Sequence, residues 1–268
     1  MSTTSSNSLN SLLKMADALT GVKVLEVSRV LLSAANVIDK EIALRNLLTD
    51  GGRSPSARSK LATELFGAEL PKEALAILGQ AVESRWAFAS ELVDALEKAG
   101  YRAMFALAES ESVLDRVEDE IFKFARVVAQ NGQLQMALTN PAQSSTAKAG
   151  LVKNLLGNNA HPYTLEVLSH VASNLRGRRT DRVFEEVADL AAARRERLRA
   201  KLRVAIGLDD AQRTRLSNAL TKIYNKPIHL DEVIDTTVMG GIEVRIADDV
   251  IDGTIAGRLR QARHRVAG

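Results

Sequence analysis

Four histidines, His161, His170, His229 and His264, are the side chains best suited to ligate a metal or to act as a general base. A helical metal site needs two ligands three or four residues apart on one face. No pair of these histidines has that spacing, and there is no HExxH motif. Asp248, Asp249 and Asp252 form an acidic cluster that could hold calcium, but the longer loop of alternating ligands closed by a glutamate is missing. Turn-forming carboxylates account for them better. Gly240-Gly241 is followed by no Lys-Ser pair and opens no helix, so it is not a phosphate loop. Being adjacent, the two glycines also make a poor GxxG clamp for RNA. The role left to them is structural, a tight backbone approach at the entry to a strand. The absence of cysteine excludes disulfides, thiolate zinc sites and cysteine nucleophiles. No Ser-His-Asp arrangement has supporting spacing. The sequence thus offers no catalytic residue, no metal ligand and no cofactor site, and it reads as a binding protein.

Composition bounds what it could bind. A net charge of +3 is mild for 268 residues. Proteins that live on nucleic acid concentrate more positive charge. The basic run Leu190–Arg203, LAAARRERLRAKLR, reads as a solvated helix end whose cations favour the C-terminal dipole. No aromatics interleave it to stack bases. No stretch reaches the roughly 20 apolar residues of a membrane helix. The polar start, MSTTSSNSLNS, lacks a signal-peptide pattern, and residues 1–10 are expected to be a flexible tail. Aromatics at 4% and five prolines, with Ala, Leu, Arg and Glu plentiful, favour helices. Lone Trp86 could be core or a binding platform, and core is the favoured reading.

The positioning elements come as a repeat. Leu44–Gly67, LRNLLTDGGRSPSARSKLATELFG, lies without a gap over Leu134–Gly157, LQMALTNPAQSSTAKAGLVKNLLG, at an offset of 90 residues. Leu48 falls on Leu138, the cap candidate Ser54 on Ser144, Leu61 on Leu151, the stop Gly67 on Gly157, and later Leu75 on Leu165. A period this long, seen twice, predicts two homologous helical bundles, over 11–99 and 100–200. Beyond them, Leu202, Val204 and Ile206 alternate as a strand. Asp209 or Asp210 caps a helix carrying Leu216, Leu220 and Ile223. Ile228-His229-Leu230 makes a second strand, and Ile242, Val244 and Ile246 share one face of a third. Ala247-Asp248-Asp249 reads as a turn, Val250-Ile251 as a short fourth strand, and Thr254 as the cap of a last helix. The expected fold is mainly α, two tandem bundles followed by an α+β domain over 201–268 with about four strands and two helices.

The C-terminal stretch resembles the signature of the delta subunit of F-type ATP synthases, called OSCP in mitochondria. The matching positions include Asp235, Gly240, Gly241, Arg245, Asp252, Gly253 and Arg258, while Ala247 stands where a glycine or small polar residue is usual. Tyr101–Ala108, YRAMFALA, is similar to that family's opening helix. The resemblance covers roughly 100–268, with 11–99 as an extra copy of the N-terminal helical domain, as in the extended actinobacterial form. Some such proteins are fused behind a membrane-anchored b-type segment. None lies within these 268 residues, and an unfused subunit and a piece of a fusion both remain open.

The resemblance implies a non-catalytic stator in the peripheral stalk, resisting rotor torque, with no cofactor. It implies two partners: the N-terminal segments of the head's alpha subunits, held somewhere within 100–200, and the C-terminal part of a b-type stalk subunit. Membrane contact is then only indirect, from the cytoplasmic side of the inner face, and nucleic acid is no partner. The seven signature residues serve the C-terminal fold or touch the b subunit. The alternative reading is a basic nucleic-acid-binding protein with helical modules.

Overall fold

The computed structural model describes residues 3–67, 70–196, 199–224, 228–235, 238, 240–246 and 249–252. The chain divides into two compact units, Met1–Ala192 and Ala193–Gly268. The helical part consists of α1 (Thr3–Asp17), α2 (Val24–Lys40), α3 (Ile42–Thr49), α4 (Pro55–Phe66), α5 (Lys72–Glu83), α6 (Ala89–Ser110), α7 (Leu114–Gln130), α8 (Gly132–Thr139), α9 (Ser145–Leu156), α10 (Pro162–Ser173) and α11 (Thr180–Glu196).

Helices α2 to α5 recur as α7 to α10, each beginning 90 residues later and each of the same length as its counterpart. Local chemistry repeats with them. Ser54 and Ser144 cap α4 and α9, their side chains accepting from the Ala57 and Ala147 N–H at 3.2 and 3.1 Å. Asp50 and Asn140 accept from the Gly52 and Ala142 N–H at 2.9 Å, the same Asx turn closing α3 and α8. Gly67 and Gly157 end α4 and α9 at φ +87° and +63°, where an L side chain is strained. The apolar positions that point inward repeat as well. Val27 and Val117, Leu31 and Ile121, Ile38 and Val128, Leu48 and Leu138, Ile77 and Val167, and Leu78 and Leu168 are all buried. Trp86 packs against the first copy's core and donates from its indole N–H to the Ala81 carbonyl at 2.9 Å.

Several expectations are corrected here. Residues 1–10 were expected as a loose tail, yet α1 begins at Thr3 and Ser5 is buried. The reason is a distant partner: Ser5 Oγ donates to Glu91 at 2.6 Å, and Glu91 also accepts from the Ala87 and Phe88 N–H at the start of α6. The boundary expected at 99–100 falls inside α6, which runs unbroken for 22 residues and serves both copies. Gly100 stops nothing, because its missing Cβ is what lets α2 cross there. A Cβ at Gly100 would lie 2.7 Å from Leu32. The basic run does not form one solvated helix end either. Arg194 is buried in α11, and Arg199–Val204 is a strand.

The second unit contains β1 (Arg199–Val204), α12 (Asp210–Tyr224), β2 (His229–Ile234), β3 (Ile242–Ile246) and β4 (Asp249–Asp252), with sheet order β2-β1-β3-β4. β1 and β2 are parallel, joined by the α12 crossover, while β3 and β4 add antiparallel. Asp209 and Gln212 form a capping box at α12: each side chain accepts the other's backbone N–H, at 2.7 and 3.0 Å. Ala200, Leu202, Val204, Val244 and Ile246 face Leu220 of α12 and Ile228 in one core. Ile206 and Ile223, expected on the apolar faces, are exposed. β1 ends two residues before Ile206, and Tyr224 packs on the core where Ile223 was expected. Asp249 opens β4, opposite Ile246, and does not close a turn. The helix expected from Thr254 and the turn residues Ala247 and Asp248 lie outside the described residues.

Candidate functional site

Of the histidines weighed for chemistry, His161 and His170 are both taken up in the local structure of α10. His161 caps α10, accepting from the Tyr163 N–H at 3.3 Å, while its own N–H donates to Glu120 at 2.9 Å. His170 sits in α10 with Nδ1 2.8 Å from the Tyr101 hydroxyl. Burial holds the His170 pKa down, to about 4, so its ring is neutral at pH 7. His229 belongs to β2, and His264 lies outside the described residues. Among the described residues no group of three or more His, Asp or Glu side chains could hold a metal ion. Nor is any described helix long and apolar enough to cross a membrane.

Of the signature residues in the second unit, Asp235 ties the sheet together. Its N–H donates to the Val204 carbonyl at 2.8 Å, closing the end of β1 against the end of β2. Its carboxylate receives Nη2 and Nε of Arg203 at 2.6 and 3.2 Å, and the same guanidinium reaches Glu243 on β3 at 3.0 Å. Arg203 therefore bridges strands on both sides of its own. The motif reading missed it because its spacing to Asp235 and Glu243 is 32 and 40 residues. Gly240 and Gly241 have φ of +67° and +86°, a left-handed entry to β3 that only glycine adopts without strain. Arg245 is exposed on the outer face of β3, directly opposite Lys201 of β1 and next to Val250 of β4, itself exposed. Like charges placed opposite each other cost free energy, and on its other side Lys201 stands in register with Asp231 of β2. Val233 of β2 is exposed on the same sheet face. Asp252 takes its place in β4 opposite Glu243, and Gly253 and Arg258 lie outside the described residues.

The helical unit carries a different kind of surface. Around the α7–α8 corner, Val127, Gln130, Asn131, Gly132, Gln133 and Met136 line a groove of about 580 Å³. A second groove of about 280 Å³ shares Gly132 and Met136 and continues along α8 to Thr139 and Asp181. Met136 is 66% exposed and Val127 50%. Exposure of apolar side chains repeats between copies: Val37 answers Val127 and Leu65 answers Leu155. Helical periodicity did not single out Val127 or Met136, since they lie off the stripe that faces the core. Leu65, expected on the apolar side of its helix with Leu61 and Phe66, is exposed.

The described residues thus present two exposed surfaces, one in each unit. The family described as ATP synthase delta (OSCP) subunit matches residues 101–266. The ATP synthase subunit delta of Streptomyces griseus is 36% identical over 271 residues, covering all of both chains. That of Parafrankia sp. is 39% identical, covering 92% of this chain and 89% of its own. A chain of the Toxoplasma gondii mitochondrial ATP synthase hexamer, solved by cryo-EM, aligns over 63% of this chain and 95% of its own, at 15% identity and a TM-score of 0.37, too loose a likeness to argue from. Since the bacterial relatives match along nearly the whole chain, the extra helical copy is shared by them and the resemblance extends well beyond the C-terminal signature. The chain belongs to the ATP synthase delta (OSCP) subunit family.

Proposed function

We propose that this delta subunit, a non-catalytic part of the peripheral stalk of the F-type ATP synthase, works through two separate docking faces. On the second helical copy, within residues 100–200, the groove at the α7–α8 corner takes an amphipathic N-terminal segment of a head alpha subunit. The observation that carries this is Met136, a long apolar side chain left two-thirds exposed beside Val127 in a shallow open groove. Helix-in-groove recognition needs such an apolar floor and no titrating group. On the second unit, the outer sheet face bearing Arg245, Lys201, Val233 and Val250 receives the C-terminal part of a b-type stalk subunit. Arg245 suits an acidic residue on that partner, and the valines suit apolar ones. Asp235, Gly240 and Gly241 serve the fold of this unit. Held between the two partners, the subunit stands on the cytoplasmic side of the membrane, reaches it only through the complex, and resists rotor torque.

The test is a calorimetric titration of the full chain with a synthetic N-terminal segment of the partner alpha subunit, and separately with the C-terminal segment of its b subunit. Met136→Asp should abolish the first binding and spare the second. Arg245→Glu should do the reverse. If both variants bind both segments as the parent does, these faces are wrong. The nucleic-acid alternative gains nothing from the comparisons.

A further inference from the structure

The charged residues that join the two helical copies sit where the copies differ from each other. Arg102 of α6 holds Asp17 of α1 through two hydrogen bonds of 2.7 and 2.6 Å, and donates to the Leu190 carbonyl of α11 at 3.0 Å. At the 90-residue offset, Arg102 corresponds to Leu12 and Asp17 to Leu107. Arg29 of α2 grips Glu166 of α10 in a two-pronged pair at 2.7 and 2.8 Å, and the first copy has Ala76 where the second has Glu166. Arg176, in the loop before α11, reaches Asp94 at 2.6 Å, Glu97 more closely still, and Asp39 at 3.8 Å. Arg178 adds a bond to Glu97 at 3.0 Å. Asp39 corresponds to Ala129 in the second copy. The core positions repeat as aliphatic pairs, while Arg102, Asp17, Glu166 and Asp39 each meet an apolar residue in the other copy, and Arg29 meets the oppositely charged Asp119.

The packing between the copies is equally committed. Ser28 Oγ donates to the Gly100 carbonyl at 2.8 Å, and Leu32 occupies the space a Cβ on Gly100 would need. Val24 buries against Ala103 and Leu107 of α6, with Tyr163 of α10 alongside. Thus α2 of the first copy packs along α6, and reaches α10 of the second copy through Arg29 to Glu166 and through Val24 beside Tyr163. α6 itself, one helix of about 33 Å at 1.5 Å per residue, belongs to both bundles.

We infer that the first copy is a splint bolted to the second, so that the helical unit turns as one rigid lever. The copy lengthens the stalk without adding a flexible joint or a swinging second head. Its mechanical meaning rests on the stalk reading, but the rigidity itself belongs to the isolated chain and is tested without any partner.

The chain has no cysteine, so Lys60→Cys on α4 and Lys123→Cys on α7, 80% and 71% exposed, give one spin label in each copy. Double electron–electron resonance on the full-length protein should show a single narrow distance. A broad or two-peaked distribution overturns the splint. Adding Arg29→Ala, Arg176→Ala and Arg178→Ala should broaden the distribution while far-UV circular dichroism keeps its helical signal. A peak as narrow as the parent's in that variant refutes the role given to the diverged charges. Should the triple variant lose its helical signal, Arg29→Glu alone, at a partly exposed pair, replaces it with the same expected broadening and the same refuting result.

Discussion

Replacing Arg102 with leucine, the residue at the corresponding place in the first copy, tests the most deeply buried of the inter-copy ion pairs. The Arg102 side chain is 2% exposed and that of Asp17 10%. Their two hydrogen bonds are short and parallel, and a third ties the guanidinium to the Leu190 carbonyl. Leucine takes the guanidinium away from the Asp17 carboxylate, which stays largely out of water. Removing one partner of a buried pair costs about 3–5 kcal/mol, because the remaining charge keeps its desolvation penalty and loses its compensation. At about 2–4 °C per kcal/mol for a unit of this size, the melting temperature should fall by about 6–20 °C. Urea unfolding followed by circular dichroism should show a lower midpoint at an unchanged slope. The double variant Asp17→Leu/Arg102→Leu, which places each copy's counterpart residue at both positions, should recover most of the loss, since an apolar pair carries no unanswered charge. Two results refute the reasoning. One is a loss of about 1 kcal/mol or less for Arg102→Leu, the value of an exposed pair. The other is a double variant no more stable than the single.

Three further predictions use other parts of the helical unit. Gly100→Ala should destabilise by up to about 2 kcal/mol in chemical denaturation, the net of overpacking against Leu32 at about 1–3 kcal/mol and the roughly 1 kcal/mol by which alanine favours a helix. His170 is neutral when folded, with a pKa near 4 against 6.5. Between those values the unfolded chain binds the extra proton, so stability falls as pH drops from 6.5 towards 4, by up to about 3 kcal/mol from this residue. Glu97, whose pKa burial raises against the pull of Arg176 and Arg178, works in the opposite direction. His170→Gln should therefore flatten the acid limb of a melting-temperature profile, and an unchanged limb refutes the assignment. Ser54→Ala and Ser144→Ala should each cost about 1 kcal/mol and add in the double variant, because the two caps are far apart in the chain and share no partner.

What could be read from the amino-acid order alone is what local chemistry specifies. Ser54 and Ser144, Gly67 and Gly157, and the inward leucines mark helix starts, stops and faces within a few residues of where they act, so the repeat was legible at its true offset. The same holds for the alternating Ile242, Val244 and Ile246, and for the glycine pair whose positive φ values opened their strand. Tertiary structure decided whatever depends on residues far apart in the chain. Ser5 is helical and buried because Glu91, 86 residues later, accepts its hydroxyl. Gly100 has the look of a boundary in sequence, yet it is a crossing point, because only the approach of Leu32 gives the missing Cβ its use. Arg102, Arg176 and Arg203 were anonymous among 36 lysines and arginines, since a cation's role is set by the carboxylates the fold brings to it. Spacing along the chain carries no record of those meetings. They are why a sequence of two similar bundles becomes a single helical unit.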